Sequence, residues 1–186
     1  PDSLTTIEYG AFADCSSLAE IPFPESLTKI GQRAFINCVS LTELNLPKNI
    51  EVLGSYAFEN CSSLKEVTIP KSLKDVEEDL YDRSPFYNCA NLEKVAFEDG
   101  VTEIPAFIFN GCPAIVNVTI PDSVTTIKER AFADCSSVAE IAFPTALTKI
   151  QQGAFKNCAS IKAINFPNNI EVLGSYAFEN CSSLKE

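Results

Sequence analysis

The sequence has no histidine, no tryptophan and no methionine in its 186 residues. The missing histidine removes the commonest general base, the usual partner of a serine or cysteine nucleophile, and the commonest metal ligand. Basic residues are also scarce, with 14 Lys and Arg against 25 Asp and Glu, a formal charge of −11. A chain this acidic, with no cluster of basic residues, repels phosphate groups. Binding to nucleic acid or to an anionic membrane is therefore not expected.

Long apolar runs and targeting signals are missing too. No stretch approaches the roughly 18 apolar residues that a membrane-spanning helix needs, so no insertion into a bilayer is predicted. The opening residues PDSLTTIEYG have neither the basic nor the apolar region of a signal peptide. The chain starts without Met, and neither end shows a polar capping unit. We therefore expect it to be part of a longer protein.

Eight cysteines are present, and they are evenly spaced. The steps between them are 23, 23, 28, 23, 23, 23 and 23 residues. Each has a phenylalanine three residues before it and a branched aliphatic residue three residues after it. The residue directly before each cysteine is Asn, Asp or Gly. A fixed period of this length predicts a repeat architecture of about eight stacked units, with phenylalanine stacked on phenylalanine and cysteine on cysteine.

The third unit, FENCSSLKEVTIPKSLKDV, shows the pattern inside one repeat. LKEVTI predicts a short strand with Val67 and Ile69 facing inward, ended by Pro70. SYAFEN predicts a single helical or 3₁₀ turn. The Asn, Asp or Gly that follows predicts a left-handed residue at the end of that turn.

The pattern Ala-Phe-x-x-Cys-x-x-Leu-x-x-Ile-x-Ile-Pro with a 23-residue period resembles the BspA-like (Treponema-type) class of leucine-rich repeats. The resemblance covers residues 1–186 and implies one α/β domain. The implied fold is a right-handed, horseshoe-shaped solenoid with short parallel strands on the concave side and short helical turns on the other. It also implies cell-surface or secreted proteins, several of which are associated with adhesion. The family has no fixed catalytic or ligand residues to transfer.

The sequence also contains a longer repeat, which spans several of the 23-residue units. Residues 1–66 align with 121–186, and NIEVLGSYAFENCSSLKE occurs identically at 49–66 and 169–186. Most changes in the expected core exchange one apolar residue for another, as in Leu4 and Val124. Duplication of a five-unit block explains this pattern. A requirement for two identical sites is the alternative.

The exposed positions of the predicted strands form the first candidate site, for a protein ligand on the concave face. Glu20, Glu43 and Glu66 would lie roughly 5–10 Å apart on neighbouring strands and suit a basic partner. The alternative is an ordinary solvated strand face. The candidate residues are Glu20, Glu43, Asn45, Glu66, Thr68, Lys94, Asn117, Thr119, Glu140 and Asn165.

The second candidate is an insertion near 77–85, which accounts for the one 28-residue step. It is expected to form a loop that contacts a partner, binds calcium without the EF-hand spacing, or is simply tolerated. Its candidate residues are Glu77, Glu78, Asp79, Tyr81, Asp82 and Arg83. Glycosylation sequons occur at Asn60, Asn117 and Asn180.

The cysteines are interpreted as a ladder of small buried residues. No CxxC pair and no histidine accompany them, and stacked parallel side chains suit a disulfide poorly. No catalytic residue, cofactor or metal site is predicted. The predicted function is non-enzymatic protein binding by a cell-surface or secreted protein, through adhesion to an extracellular-matrix or cell-surface protein. A structural spacer in a surface array and an intracellular interaction scaffold remain alternatives.

Overall fold

The computed structural model of the protein describes residues 2–77 and 84–185. We number the coils of the chain 1 to 8 by the cysteine each contains, from Cys15 in coil 1 to Cys181 in coil 8. Eleven short strands are present in the described residues, and every pairing is parallel. They are β1 (Thr6–Ile7), β2 (Lys29–Ile30), β3 (Val52–Gly54), β4 (Glu66–Ile69), β5 (Asp75–Glu77), β6 (Lys94–Phe97), β7 (Glu103–Ile104), β8 (Asn117–Thr119), β9 (Thr126–Ile127), β10 (Lys149–Ile150) and β11 (Val172–Leu173).

The strands form two rows along the solenoid. One row consists of two four-stranded sheets, β1-β2-β3-β5 and β7-β9-β10-β11, whose pairing is interrupted between β5 and β7, where the insertion lies. The other row is the three-stranded sheet β4-β6-β8, which continues across the insertion. Pairing partners such as Lys29 and Val52 are 23 residues apart, whereas Glu66 and Lys94 are 28 apart. The insertion therefore lengthens the sequence distance between paired residues from 23 to 28 without interrupting the sheet β4-β6-β8.

The predicted strand is confirmed in part. In β4, Val67 and Ile69 are buried, Glu66 and Thr68 are exposed, and the strand ends directly before Pro70. β6 and β8 repeat this element in coils 4 and 5. In the described parts of coils 1, 2, 6 and 7 the same segment forms no strand. The sheets built from β1 and its counterparts were not predicted, because most of those strands are only two residues long.

A continuous stack of phenylalanine rings runs through the core. Successive rings from Phe12 to Phe178 lie between 4.9 and 5.8 Å apart, centroid to centroid, and are close to parallel in most pairs. The six inner rings are fully buried. Phe23, Phe97, Phe143 and Phe166 pack against this stack edge-on. The predicted stacking of phenylalanine is confirmed.

The segment that precedes each cysteine holds neighbouring coils together. Its N–H groups alternate in direction: those of Ala34 and Ile36 bond within the turn, to Gly31 and Arg33. The N–H of Phe35, between them, donates to the carbonyl of Ala57 in the next coil, 2.7 Å away. A 3₁₀ helix would use every N–H within the turn, so the expected helical turn is not confirmed. No helix occurs in residues 2–77 or 84–185.

The left-handed residue before each cysteine is confirmed in all eight coils, with φ between 57° and 76°. Its side chains form hydrogen-bonded ladders. The amide of Asn37 donates to Asp14, Asn60 to Asn37, and Asn88 to Asn60. A second ladder starts at Asp134 and continues through Asn157 to Asn180. Each ladder begins at an aspartate, which accepts hydrogen bonds without donating any, and Gly111 separates the two.

Substitution of Phe58 by alanine tests the ring stack. Phe58 is fully buried and contacts Phe35 and Phe86 on its two sides, with centroids 5.2 and 5.5 Å away. Phe58→Ala is expected to lower the free energy of unfolding by about 3–5 kcal/mol. Phe12→Ala is the matched control, because Phe12 is partly exposed and stacks on one neighbour only. Urea denaturation showing equal losses for both variants would contradict the stacked core.

Candidate protein-binding face

The exposed side chains of the predicted strands lie together on one side of the solenoid, which we call the strand face. The candidates Glu20, Glu43, Asn45, Glu66, Thr68, Lys94, Asn117, Thr119, Glu140 and Asn165 are all exposed. Strand register sets Glu66 beside Lys94 and Lys94 beside Asn117, and it sets Thr68 and Thr119 on either side of Ala96. Binding by these residues remains a prediction.

A recess of about 770 Å³ lies on the strand face between coils 2 and 4. It brings together five of the predicted residues, which are Glu43, Asn45, Glu66, Thr68 and Lys94. Its volume is in the range of about 300–1,000 Å³ that is usual for ligand sites. Sequence reasoning missed five charged or polar residues of its lining: Thr42, Ser63, Lys65, Glu93 and Glu98.

A second recess of about 480 Å³ adjoins the first one. It extends the site to coil 1 through Glu20 and Glu25, and it shares Glu43, Asn45 and Leu46 with the first recess. Asn117, Thr119, Glu140 and Asn165 line neither of these two recesses. These two recesses therefore contain candidate residues of coils 1 to 4 only.

The two recesses are acidic. Six glutamates line them, at 20, 25, 43, 66, 93 and 98, against three lysines at 48, 65 and 94. The strand face therefore attracts basic groups across the solvent, an effect that salt screens over about 8–10 Å. Such complementarity chiefly gives a binding site its specificity and its association rate.

The duplicated block repeats this chemistry only in part. Glu25 and Glu43 are replaced by Thr145 and Ala163, and Thr42 is replaced by Lys162. The asparagine of the same face is kept as Asn45 and Asn165. Glu20 and Glu66 are kept as Glu140 and Glu186, so two of the four acidic residues in the block are lost. Because the scaffold residues are retained while the acidic set is kept only in part, the copy favours duplication of a scaffold over duplication of one binding site.

The insertion-loop candidates are described only in part. Glu77 ends β5, and its carboxylate pairs with the ammonium group of Lys29, 3.1 Å away. Glu78, Asp79, Tyr81, Asp82 and Arg83 lie outside the described residues. The chain rejoins the stack at Ser84, which is fully buried and donates its hydroxyl hydrogen to the carbonyl of Ile108, 2.6 Å away. Within the described ranges, no cluster of three or more acidic or cysteine residues is arranged to hold a metal ion.

The three sequons occupy different settings. Asn60 and Asn180 adopt the left-handed conformation and donate their side-chain amides to Asn37 and Asn157. Asn117 is exposed on the strand face in β8. The first two are therefore structural residues of the ladders, and the third is one of the strand-face candidates.

Seven of the eight thiols are buried, and only Cys15 is exposed. Each buried thiol donates to the carbonyl oxygen of a phenylalanine in the preceding coil, at S···O distances of 3.1–3.4 Å. Burial raises the pKa of Cys38 to about 11 and the pKa of Cys112 to about 12. Burial also raises the pKa of Cys61, Cys89, Cys135, Cys158 and Cys181. The thiols are all free and, where buried, held in their protonated form.

The sequence model of the BspA type leucine rich repeat region matches residues 1–85 and 82–185, in six copies. A leucine-rich repeat protein from Bacteroides ovatus has a TM-score of 0.73 and 30% identity to this chain, and one from Eubacterium ventriosum has 0.73 and 27%. Both alignments cover 100% of this chain, which spans 52% and 45% of those proteins.

Two further comparisons come from pathogens. The T. pallidum leucine rich repeat protein has a TM-score of 0.68 and 27% identity, over 85% of this chain and 72% of that protein. The pneumococcal vaccine antigen PcpA has a TM-score of 0.52 and 25% identity, over 98% of this chain and 53% of that protein. No curated protein has significant sequence similarity to this chain.

The buried thiols predict a loss of stability in alkaline solution. A pKa raised above the ordinary value of 9.0 means that the folded state binds protons that the unfolded state releases. The contribution of the buried thiols to the free energy of unfolding is fully present below pH 9. It is lost as the pH rises toward the pKa values of Cys38 and Cys112, about 11 and about 12. Urea midpoints measured from pH 8 to pH 11 should therefore fall. The urea midpoint should fall less in the Cys112→Ala variant than in the wild type. An equal fall in both proteins would contradict the raised pKa of the Cys112 thiol.

Proposed function

Because the chain belongs to the BspA-type leucine-rich repeat family, we propose that its strand face is a non-enzymatic surface for binding another protein. The supporting observation is the pair of adjoining recesses, which join predicted residues from coils 1 to 4 into one acidic surface. Solenoids offer such extended surfaces because each coil adds one row of side chains to the same side. No helix in the described residues is long and apolar enough to cross a membrane.

We propose further that the protein acts at the cell surface or after secretion, in adhesion to a cell-surface or extracellular-matrix protein. A relative supports the proposed location: PcpA is described as a pneumococcal vaccine antigen. The acidic strand face favours a partner with a basic patch, and coil 1 to coil 4 would carry the contact. A passive spacer would not depend on the charges of that face, so charge reversal distinguishes the two functions.

Charge reversal on the strand face tests the proposal. The triple variant Glu20→Lys, Glu43→Lys, Glu66→Lys should lose binding to any extracellular-matrix or cell-surface protein that the wild type binds at physiological salt. We expect a loss of at least about tenfold in affinity, because like charges brought together across an interface cost several kcal/mol. Surface plasmon resonance against a panel of such proteins is the measurement.

The control carries the same change of charge away from the recesses, as Glu8→Lys, Asp122→Lys, Glu171→Lys. All three of these residues are exposed. Retained binding by the control and lost binding by the strand-face variant support the site. Equal losses of affinity in the two triple variants would show a general effect of charge. Undiminished binding by the strand-face variant, or no binding by the wild type, would overturn the proposal.

A further inference from the structure

The second recess, on coils 1 and 2, has an apolar floor. Ile21, Phe23 and Leu46 line it, and each packs against the buried core while remaining partly exposed. Pro22 and Pro47 complete the apolar part of the lining. The volume of about 480 Å³ lies in the range that is usual for ligand sites. The floor of the second recess therefore suits the apolar part of a ligand.

Three carboxylates without a partner surround that floor. Glu20, Glu25 and Glu43 line the second recess, and all three are exposed. Within residues 2–77 and 84–185, none of their side chains forms an ion pair or a hydrogen bond. Away from the strand face, by contrast, the carboxylate of Glu51 is paired with Lys74 at 2.8 Å. The carboxylates of the second recess are therefore available to a cation of a partner.

Hydrogen bonds fix the backbone that carries these carboxylates. The N–H of Thr42 donates to the carbonyl of coil 1 at 3.1 Å, directly beside Glu20 and Glu43. The side-chain amide of Asn49 donates to the carbonyl of Glu25 at 2.9 Å and ties that turn to coil 2. The phenylalanine rings of the two coils stack 4.9 Å apart. Carboxylates held on coils this close can converge on a single cationic group.

We propose that the second recess is a pocket for an arginine side chain of the partner protein. This inference rests on the proposed function and names the contact within it. The aliphatic stem of the arginine covers the apolar floor, while its guanidinium group meets the carboxylates at the rim. A guanidinium group binds carboxylates through two parallel hydrogen bonds and stacks on aromatic rings such as that of Phe23, whereas the ammonium group of lysine is a compact point charge. Lys48 also lines the recess and offsets only one of the three negative charges.

The duplicated block provides a comparison within the same molecule. Thr145 and Ala163 stand where Glu25 and Glu43 stand in the first block, so only Glu140 remains of the three carboxylates. A single exposed carboxylate attracts a cation weakly, because water and salt screen it. We therefore expect arginine to bind at coils 1 and 2 and not at the equivalent place on coils 6 and 7.

The test uses N-acetyl-arginine N-methylamide as the probe, titrated into the isotope-labelled chain and followed by NMR. The N–H signals of Glu25 and Asn45 should shift and saturate with a Kd on the order of 1 mM, as expected for so small a ligand. The signals of Thr145 and Asn165 should not shift. Two matched probes replace arginine by citrulline, which has the same shape without the charge, and by lysine. Citrulline should bind at least about tenfold more weakly than arginine, and lysine about threefold more weakly.

Two protein variants test the carboxylates. The double variant Glu25→Gln, Glu43→Gln removes two charges and keeps the shape of the side chains, and it should bind the arginine probe at least about tenfold more weakly. The control Glu8→Gln, Glu171→Gln makes the same change of charge at exposed positions that line neither recess. It should bind the probe as the wild type does. The urea midpoint of each variant shows whether the fold is kept.

Each outcome decides for or against the pocket. Full binding of the citrulline probe, full binding by the double variant, or equal shifts in the duplicated block would overturn it, and equal binding of the lysine probe would overturn the selection of arginine. If the double variant fails to fold, the citrulline probe gives the same test on the wild-type chain. Failure of the arginine probe to bind, with binding to a whole protein retained, overturns the pocket and leaves the proposed function standing.

Discussion

The structure depends on a backbone that turns twice through left-handed conformations before seven of the eight cysteines, and once, at Asn88, before Cys89. These turns let alternate N–H groups bond within the coil and the others reach the next coil, as Phe35 reaches Ala57. Coils joined in this way lie about 5 Å apart, which is the distance at which the phenylalanine rings stack. The ring stack, the thiol hydrogen bonds and the asparagine ladders all follow from that single spacing.

The left-handed turns explain both a rule and an exception in the sequence. The position before each cysteine carries Asn, Asp or Gly, the residue types that adopt positive φ most easily. The other left-handed position carries Tyr56 and Phe107 as well as Gly10 and Gly153. A large side chain there is strained by about 1–2 kcal/mol. Contacts such as that of the Arg33 guanidinium over the Tyr56 ring, 5.2 Å from its centroid, offset part of that strain.

Tight joining on the turn side leaves the strand face free to vary. Its side chains are exposed and its backbone bonds are incomplete, so substitutions such as Glu43 to Ala163 between the two blocks leave the core unchanged. Stability is supplied on one side of each coil, and the other side is available for binding, which agrees with a repeat protein that presents a surface to partners.

Much of the fold could be predicted from the sequence, because a strict period brings equivalent residues together. The stacking of phenylalanine, the burial of Val67 and the left-handed Asn60 all follow from position within the repeat. The strands around Ile30 and Ile127 could not be predicted, since two residues give too short a pattern. The recess beside Glu66 was also beyond prediction, because the period implies the same surface at every junction and the recesses depend on the particular side chains of coils 1 to 4.

The most direct test of this account is amide hydrogen exchange measured residue by residue on the native chain. The account predicts strong protection for the N–H groups of Phe35, Phe58 and Phe132, which bond to the next coil from a buried position. It predicts fast exchange for the N–H groups of Glu66 and Thr68, which lie on the exposed strand face and have no backbone hydrogen bond to coil 2 within the described residues. Equal protection of the two sets of N–H groups would contradict the division between a tightly bonded turn side and a less bonded strand face.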